Sequence, residues 1–210
     1  MDAEDWDRRY AASDLVWSRE PNQLVATELA DLPPGTAVDL AAGEGRNAIW
    51  LASRGWSAYA VDFSQVALDK GARLAGAASL PGDVTWVCAD ATTWQPPQPV
   101  DLVVMAYFQV PAEDRRRAVR SAATMLHPGG TLLLVAHDST NLTEGTGGPQ
   151  DPAVLMSAED VVADLTGIDV EVLRAERVAR EVTSADEHGG EVRRTAWDCL
   201  VRVVRGRSQD

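Results

Sequence analysis

The chain has 210 residues, which at roughly 150 residues per domain makes one domain with room for a small appendage. Hydrophobic residues are 45% and charged residues 24%, a balance that excludes a disordered chain. Nineteen basic residues against 32 acidic ones leave a net charge of −13, which argues against a nucleic-acid reader or a protein of anionic membrane surfaces. The one basic cluster, Arg115, Arg116, Arg117 and Arg120, reads as the solvated face of a helix. Cys88 and Cys199 are far apart and fit neither a metal-ligand spacing nor a disulfide framework. The acidic start MDAEDWDRRY is no signal peptide, and no run approaches the ~18 apolar residues of a membrane span, so a reduced, cytoplasmic setting is expected.

In chain order, residues 1–32 read as about two helices joined around Pro21, an N-terminal helical cap. Thr36–Leu40 is a short apolar strand before a glycine-rich turn, and Arg46–Arg54 has helical spacing. Trp56–Asp62 is a second strand, followed by a helix from Ser64 to Ala77 with Ser64 as its N-cap. Val84–Cys88 and Val100–Ala106 are further strands. Ala112–Leu126 is an amphipathic helix that His127-Pro128-Gly129-Gly130 should stop and turn. Thr131–His137 is a fifth strand without polar alternation.

Strands so uniformly apolar are buried on both faces. Alternating with helices, they predict an α/β fold with a doubly wound, mostly parallel sheet covered on each side. Residues 139–156 are rich in Gly, Pro, Thr and Asn and read as a loop long enough to be a substrate lid. Ser157–Leu165 is a short helix capped by Ser157 with Asp160 three residues on. Residues 168–204 then form two strand-like segments around SADEHGG, which must pair antiparallel. In the last segment Trp197, Cys199, Val201 and Val203 share one face, with Asp198 and Arg202 on the other.

The chemistry concentrates at VDLAAGEGRNA, Val38–Ala48, where a strand, a Gly-x-Gly turn and a helix follow one another. Gly43 permits the tight turn and a close ligand approach, and the first helical amides are free to bond a ligand. Gly43, Gly45 and Ala48 also fit a dinucleotide fingerprint, which alone is a weak signal. Asp39 in the first strand, Asp62 ending the second and Asp90 just past the third gather at the carboxyl edge of such a sheet, where ligands bind. Asp62 is placed to accept from a ribose diol, Phe63 to cover an adenine face, and Asp90 to accept from its exocyclic amine.

The segments D-L-A-A-G-E-G, V-D-F-S, A-D-A and L-H-P-G-G, in this order over 36–137, resemble the class I S-adenosylmethionine-dependent methyltransferases. The opening W-D-x-R-Y with V-W-S-R-E-P-N is similar to their small tellurite-resistance and thiopurine-type branch. The resemblance implies a seven-stranded Rossmann-like sheet with an antiparallel C-terminal hairpin, and a cofactor-binding core at 36–137. It implies S-adenosylmethionine as cofactor and S-adenosylhomocysteine as product. Asp39 would orient the glycine loop and reach the methionine amino group. Ala41, Ala42 and Gly43 would lie along the methionine, with Ala41 standing where the family usually has glycine. Asp62 would hold the ribose, Phe63 and Ser64 would flank the adenosine, and Asp90 and Ala91 would meet the adenine. The Ala106 carbonyl would accept from the cofactor amine. Arg9 or Arg46 would pair the carboxylate, and Trp6 or Trp17 would close over it.

A hydroxyl acceptor needs a base, and histidine titrates near neutrality. His137 ends the fifth strand at the cofactor edge, whereas His127 and His188 sit in turns elsewhere. His137 is therefore the candidate general base, Asp138 its orienter or a substrate contact, Asn141 a substrate contact, and Tyr107 a donor to the acceptor. The acidic surface points to a small-molecule substrate, with no nucleic acid, no membrane and no metal, on a monomer or homodimer. A thiol or metalloid acceptor needing no base is the nearest alternative. A nicotinamide-dependent reductase and a nonenzymatic cofactor-binding module are the alternatives from other classes, and the reductase would need Lys70, the only lysine.

Overall fold

The computed structural model describes residues 3–185 and 191–207. In chain order the helices are α1 (Ala3–Ala11), α2 (Gln23–Leu29), α3 (Arg46–Ser53), α4 (Gln65–Gly76), α5 (Ala112–Met125) and α6 (Ala158–Asp164). The strands are β1 (Thr36–Leu40), β2 (Ser57–Asp62), β3 (Asp83–Cys88), β4 (Val100–Ala106), β5 (Leu126–His137), β6 (Val170–Ala185) and β7 (Glu191–Arg205). They form a seven-stranded sheet in the order β3-β2-β1-β4-β5-β7-β6. The first five run parallel, and β7 inserts antiparallel between β5 and β6. This is the doubly wound arrangement expected from the alternation of apolar strands and helices.

Alternate strand residues feed two cores, as a side-chain period of two requires. Val38, Val103, Met105, Leu132, Leu134, Cys199 and Val201 pack on one face with Ala118, Ala122 and Val161 of α5 and α6. Ala37, Leu102, Val104, Leu133, Val135 and Leu200 pack on the other with Val25 and Leu29 of α2 and Ala48 and Leu51 of α3. The helix caps follow the sequence signals. Ser64 Oγ accepts from the Ala67 amide at 3.2 Å, and Ser157 and Asp160 close a reciprocal capping box.

Two expectations need correction. α5 ends at Met125, and His127–Gly130 do not turn the chain but already lie within β5, because Leu126 is buried and pairs with Val100, with a register shift between Val100 and Leu102. Nor are the arginines of α5 a solvated face. Arg115 is buried against Asp164 at 2.7 Å, Arg116 reaches the same carboxylate at 3.2 Å, and Arg120 binds the carbonyls of Asp164 and Thr166, so three of the four clamp the end of α6. Only Arg117 keeps to its own helix, pairing with Asp114.

Among the described residues no helix is long and apolar enough to cross a membrane.

Candidate active site

β1 breaks at Leu40, and the chain enters α3 through three consecutive odd positions in the left-handed region: Ala41 at φ 55°, Gly43 at φ 56° and Gly45 at φ 71°. The glycines are required there. A Cβ on Gly43 would lie 2.6 Å from the Tyr10 hydroxyl, and one on Gly45 would lie 2.5 Å from the Trp86 ring. Ala41 carries the strain of that conformation with a side chain in place.

Asp39 and Asp62 hold this turn from opposite sides. Asp62 Oδ2 accepts from the Gly43 amide at 2.8 Å and Oδ1 from the Ser64 amide at 2.9 Å. Burial raises its pKa, against the pull of those two amides, and the nearby Asp7 adds to the rise. Asp39 lies on the α3 face of β1, where Oδ2 accepts from the Ala48 amide at 3.2 Å. Its Oδ1 is buried with no partner. Burial pushes Asp39 up to about 7 despite that amide.

The N-terminal segment closes over the turn. Ser64 Oγ donates to Asp7, and Lys70 Nζ donates to the carbonyls of Tyr10 and Ser13 while pairing with Glu44 at 3.5 Å. Glu44 in turn accepts from the Val16 and Trp17 amides. The sole lysine is thus a structural tie, which removes the residue a reductase would need. Trp17 Nε1 donates to the Tyr10 hydroxyl at 3.4 Å, and the Arg9 guanidinium stands 4.9 Å from the Trp6 ring and 5.4 Å from the Trp17 ring. Burial pushes Tyr10 up to about 12, so it remains a neutral donor.

Beyond the turn, a pocket of about 290 Å³ is lined by Ala41, Phe63, Asp90, Ala91, Thr92 and Phe108, among others. Phe63 is exposed into it, and Asp90 is set by an Asx turn to the Thr92 amide at 2.8 Å. These residues fit the expected S-adenosylmethionine. A pocket with an aromatic wall and an acid suits an adenine, and the orphaned Asp39 Oδ1 awaits a donor.

The next two strands carry a second cluster on the same sheet edge. Tyr107, at φ 58°, follows β4 and ends its backbone path on the Val135 carbonyl at 2.7 Å. Its hydroxyl donates to Asp198 Oδ2 at 3.0 Å, and its ring lies 4.6 Å from that of His137. Asp198 sits opposite His137 in the β5–β7 register, with Nδ1 and Oδ1 3.6 Å apart. Arg180 of β6 clasps the same carboxylate with Nε at 2.6 Å and Nη2 at 3.3 Å. Burial alone would raise the Asp198 pKa, but the His137 ring, Arg180 and Tyr107 outweigh it and hold the carboxyl below its usual value. Burial and the Asp198 charge push Tyr107 up to about 12. A Cβ on Gly148 would come within 2.7 Å of the His137 ring, so the tip of the long loop lies directly on it.

The structure therefore brings Asp39, Ala41, Gly43, Arg46, Asp62, Ser64, Arg9 and Trp17 together around the turn, and Phe63, Asp90 and Ala91 around the pocket. Ala42 and Ala106 flank the turn and the end of β4, packed against the α2/α3 core. His137 and Tyr107 adjoin as expected. Asp138 and Asn141, expected as substrate contacts, have their side chains turned inward to backbone. Asp138 caps its own 3-10 turn through the Thr140 amide at 2.9 Å, and both ends of the Asn141 amide are spent on the Trp197 backbone, at 2.5 Å and 2.7 Å. Both are buried anchors of the loop, which Ser139 and Asp138 also bridge to Met156. The acid that faces the His137 ring is Asp198, whose Oδ1 stands 3.6 Å from Nδ1, beyond hydrogen-bond distance, whereas Asp138 is turned to its own loop. His127 lies at the opposite edge, bonded to Asp101 at 2.6 Å, which raises its pKa. His188 lies outside the described residues.

Tyr10, Asp198 and Arg180 escaped the sequence reading. Asp198 left a signal, an acid inside the apolar run AWDCLV, while Arg180 and Tyr10 left none that spacing reveals.

A methyltransferase domain family matches residues 37–130. Thiocyanate methyltransferase 1 of Brassica oleracea is 25% identical over 162 residues, 75% of this chain and 70% of that protein. Among solved structures, N-methyltransferase NodS of Bradyrhizobium japonicum in complex with S-adenosylhomocysteine superposes with a TM-score of 0.70 at 19% identity, over 98% of each chain. TehB of Haemophilus influenzae gives a TM-score of 0.68 at 17% identity, over 89% of this chain and 63% of that one. With the glycine turn, the strand-end acids and the sheet order already in place, residues 37–130 match a methyltransferase domain and the whole described chain has the fold of S-adenosylmethionine-dependent methyltransferases.

Proposed function

We propose that the chain methylates a small-molecule acceptor seated beside Tyr107 and His137, and that His137 takes the proton of an acceptor hydroxyl. The observation that carries this reading is the buried Asp198–His137 pair at the sheet edge shared with the glycine turn. An ionised Asp198 facing Nδ1 favours the tautomer with its proton there, which leaves Nε2 as the basic nitrogen.

Asp39, Asp62, Arg9 and Trp17 would hold the cofactor, and Asp90, Ala91 and Phe63 its adenine. When bound, S-adenosylmethionine supplies a sulfonium methyl whose bond to sulfur breaks with the electron pair left on sulfur. The acceptor oxygen forms the new carbon–oxygen bond, and its proton passes to His137. Tyr107, neutral and committed to Asp198, shapes the wall and keeps the histidine ring stacked. Gly148 and the loop tip exclude water from the ring.

Replacing His137 by alanine should cost at least about 100-fold in kcat on a hydroxyl acceptor, the usual share of a positioned base, with product affinity preserved. The check is a screen of acceptors with labelled cofactor, comparing both proteins. Full activity of H137A on a hydroxyl would end the assignment. The second reading, a thiol or other soft nucleophile that needs no base, is supported by the thiocyanate methyltransferase likeness. It predicts that H137A keeps its rate on such an acceptor.

A further inference from the structure

β4 leaves the sheet at Tyr107, whose amide donates to the Val135 carbonyl at 2.7 Å and whose φ of 58° turns the chain aside. The next β5 residue with its amide on that side is His137, and a strand-end amide without a partner is costly where water is excluded. Gln109 fills the gap. Its Oε1 accepts from the His137 amide at 2.8 Å, and its Nε2 donates to the Val154 carbonyl at 2.6 Å. A carboxamide accepts through oxygen and donates through nitrogen, so one side chain ties the strand end that carries His137 to the return leg of the long loop. The outgoing leg is fixed elsewhere, by Asn141 on the Trp197 backbone and by Glu144 on the Trp197 ring nitrogen and Arg177. Between the two legs lie residues 145–150, and their tip rests on the imidazole. A Cβ on Gly148 would meet Cγ, Cδ2 and Nδ1 of His137 at 2.7, 2.9 and 3.0 Å. The Tyr107 ring flanks the same imidazole at 4.6 Å. Nδ1 is buried in this setting, and Nε2 lies outside the three atoms that the tip covers.

Resting on the role of His137 proposed above, we infer that Gln109 is a positioning residue: by holding the return leg of the loop to the strand end, it keeps the loop tip on the imidazole and presents Nε2 to the acceptor in one orientation. Gln109 acts through Val154 and the His137 backbone and touches no reacting atom. Without it the return leg loses its tie to β5, the tip lifts, and the imidazole gains water and rotational freedom.

The test uses diethyl pyrocarbonate, which acylates neutral imidazole nitrogens, on the full chain saturated with S-adenosylhomocysteine. Peptide mass mapping reads the rate at His137 against that at His127, which is bonded to Asp101 at the opposite edge and serves as the internal reference. In Gln109→Ala the ratio of His137 to His127 should rise about tenfold over wild type, the population shift expected when one hydrogen bond no longer holds an opening segment. Gln109→Glu keeps the acceptor for the His137 amide and loses the donor to Val154, so it should show the same rise. S-adenosylhomocysteine affinity should stay within about threefold of wild type in both variants. An unchanged ratio in either variant, a rise matched at His127, or an equal loss of product affinity would each overturn the inference. The base role fails separately: full activity of H137A on a hydroxyl acceptor would end it and leave the reactivity ratio of the two histidines where it is.

Discussion

The glycine turn and the Tyr107–His137–Asp198 cluster share one sheet edge but are assembled in opposite ways. The turn is held almost wholly by backbone amides. Asp39 and Asp62 bond the amides of Ala48, Gly43 and Ser64, all within 19 positions of their acceptors. The second cluster is side chain on side chain, with Tyr107 and Asp198 91 positions apart. A local device needs only a strand, a turn and a helix in succession, whereas the acceptor cluster exists only because β7 threads between β5 and β6.

The sharpest way to break this contrast is Asp62→Ala. Loss of two charge-assisted hydrogen bonds to the turn should weaken S-adenosylhomocysteine by about 100-fold or more in calorimetric titration. An affinity within a few-fold of wild type would mean the turn organises itself without the acid. On the other side, Asp198→Ala strands Arg180 and the Tyr107 hydroxyl. Because the Arg180 side chain is 23% exposed, the loss should fall at the lower end of the buried-pair range, about 3 kcal/mol in urea unfolding. Product binding at the distant turn should survive wherever the protein is folded. A joint loss of both would show the two regions to be one cooperative unit.

Asp39 sharpens the comparison through pH. Its folded pKa near 7 lies above the ordinary 3.8, so between these values the folded protein holds a proton that the unfolded chain has released. Its contribution therefore favours folding at low pH and fades as pH rises toward 7. A cofactor ammonium meeting the orphaned oxygen reverses the preference, because it needs the ionised acid. Product affinity should rise with pH through 7, and Asp39→Asn should flatten both the affinity and the stability profiles. An unchanged slope in Asp39→Asn would move the titration elsewhere. The smallest effect is expected from Ala41→Gly, which relieves a left-handed alanine and should raise stability by about 1 kcal/mol, read as a higher Tm.

The same division runs through what could be read in advance. Apolar strands alternating with helices, the caps at Ser64 and Ser157, the glycine turn and the acids at 39, 62 and 90 were legible, because each depends on neighbours a few positions away. The arginines of α5 and the pair Asp138 and Asn141 were misread, because their partners, Asp164 for one and the Trp197 backbone for the other, come from remote elements. Alternation along β7 placed Asp198 on the correct face, but which neighbours cover that face is a matter of strand order. Sequence alone determined the sheet, its cofactor turn and the chemistry that turn can hold, since period and turn geometry are local properties of the chain. Only the tertiary structure decided which acid faces His137 and what the N-terminal helix covers, since those follow from an antiparallel insertion and from burial that no short window of residues encodes.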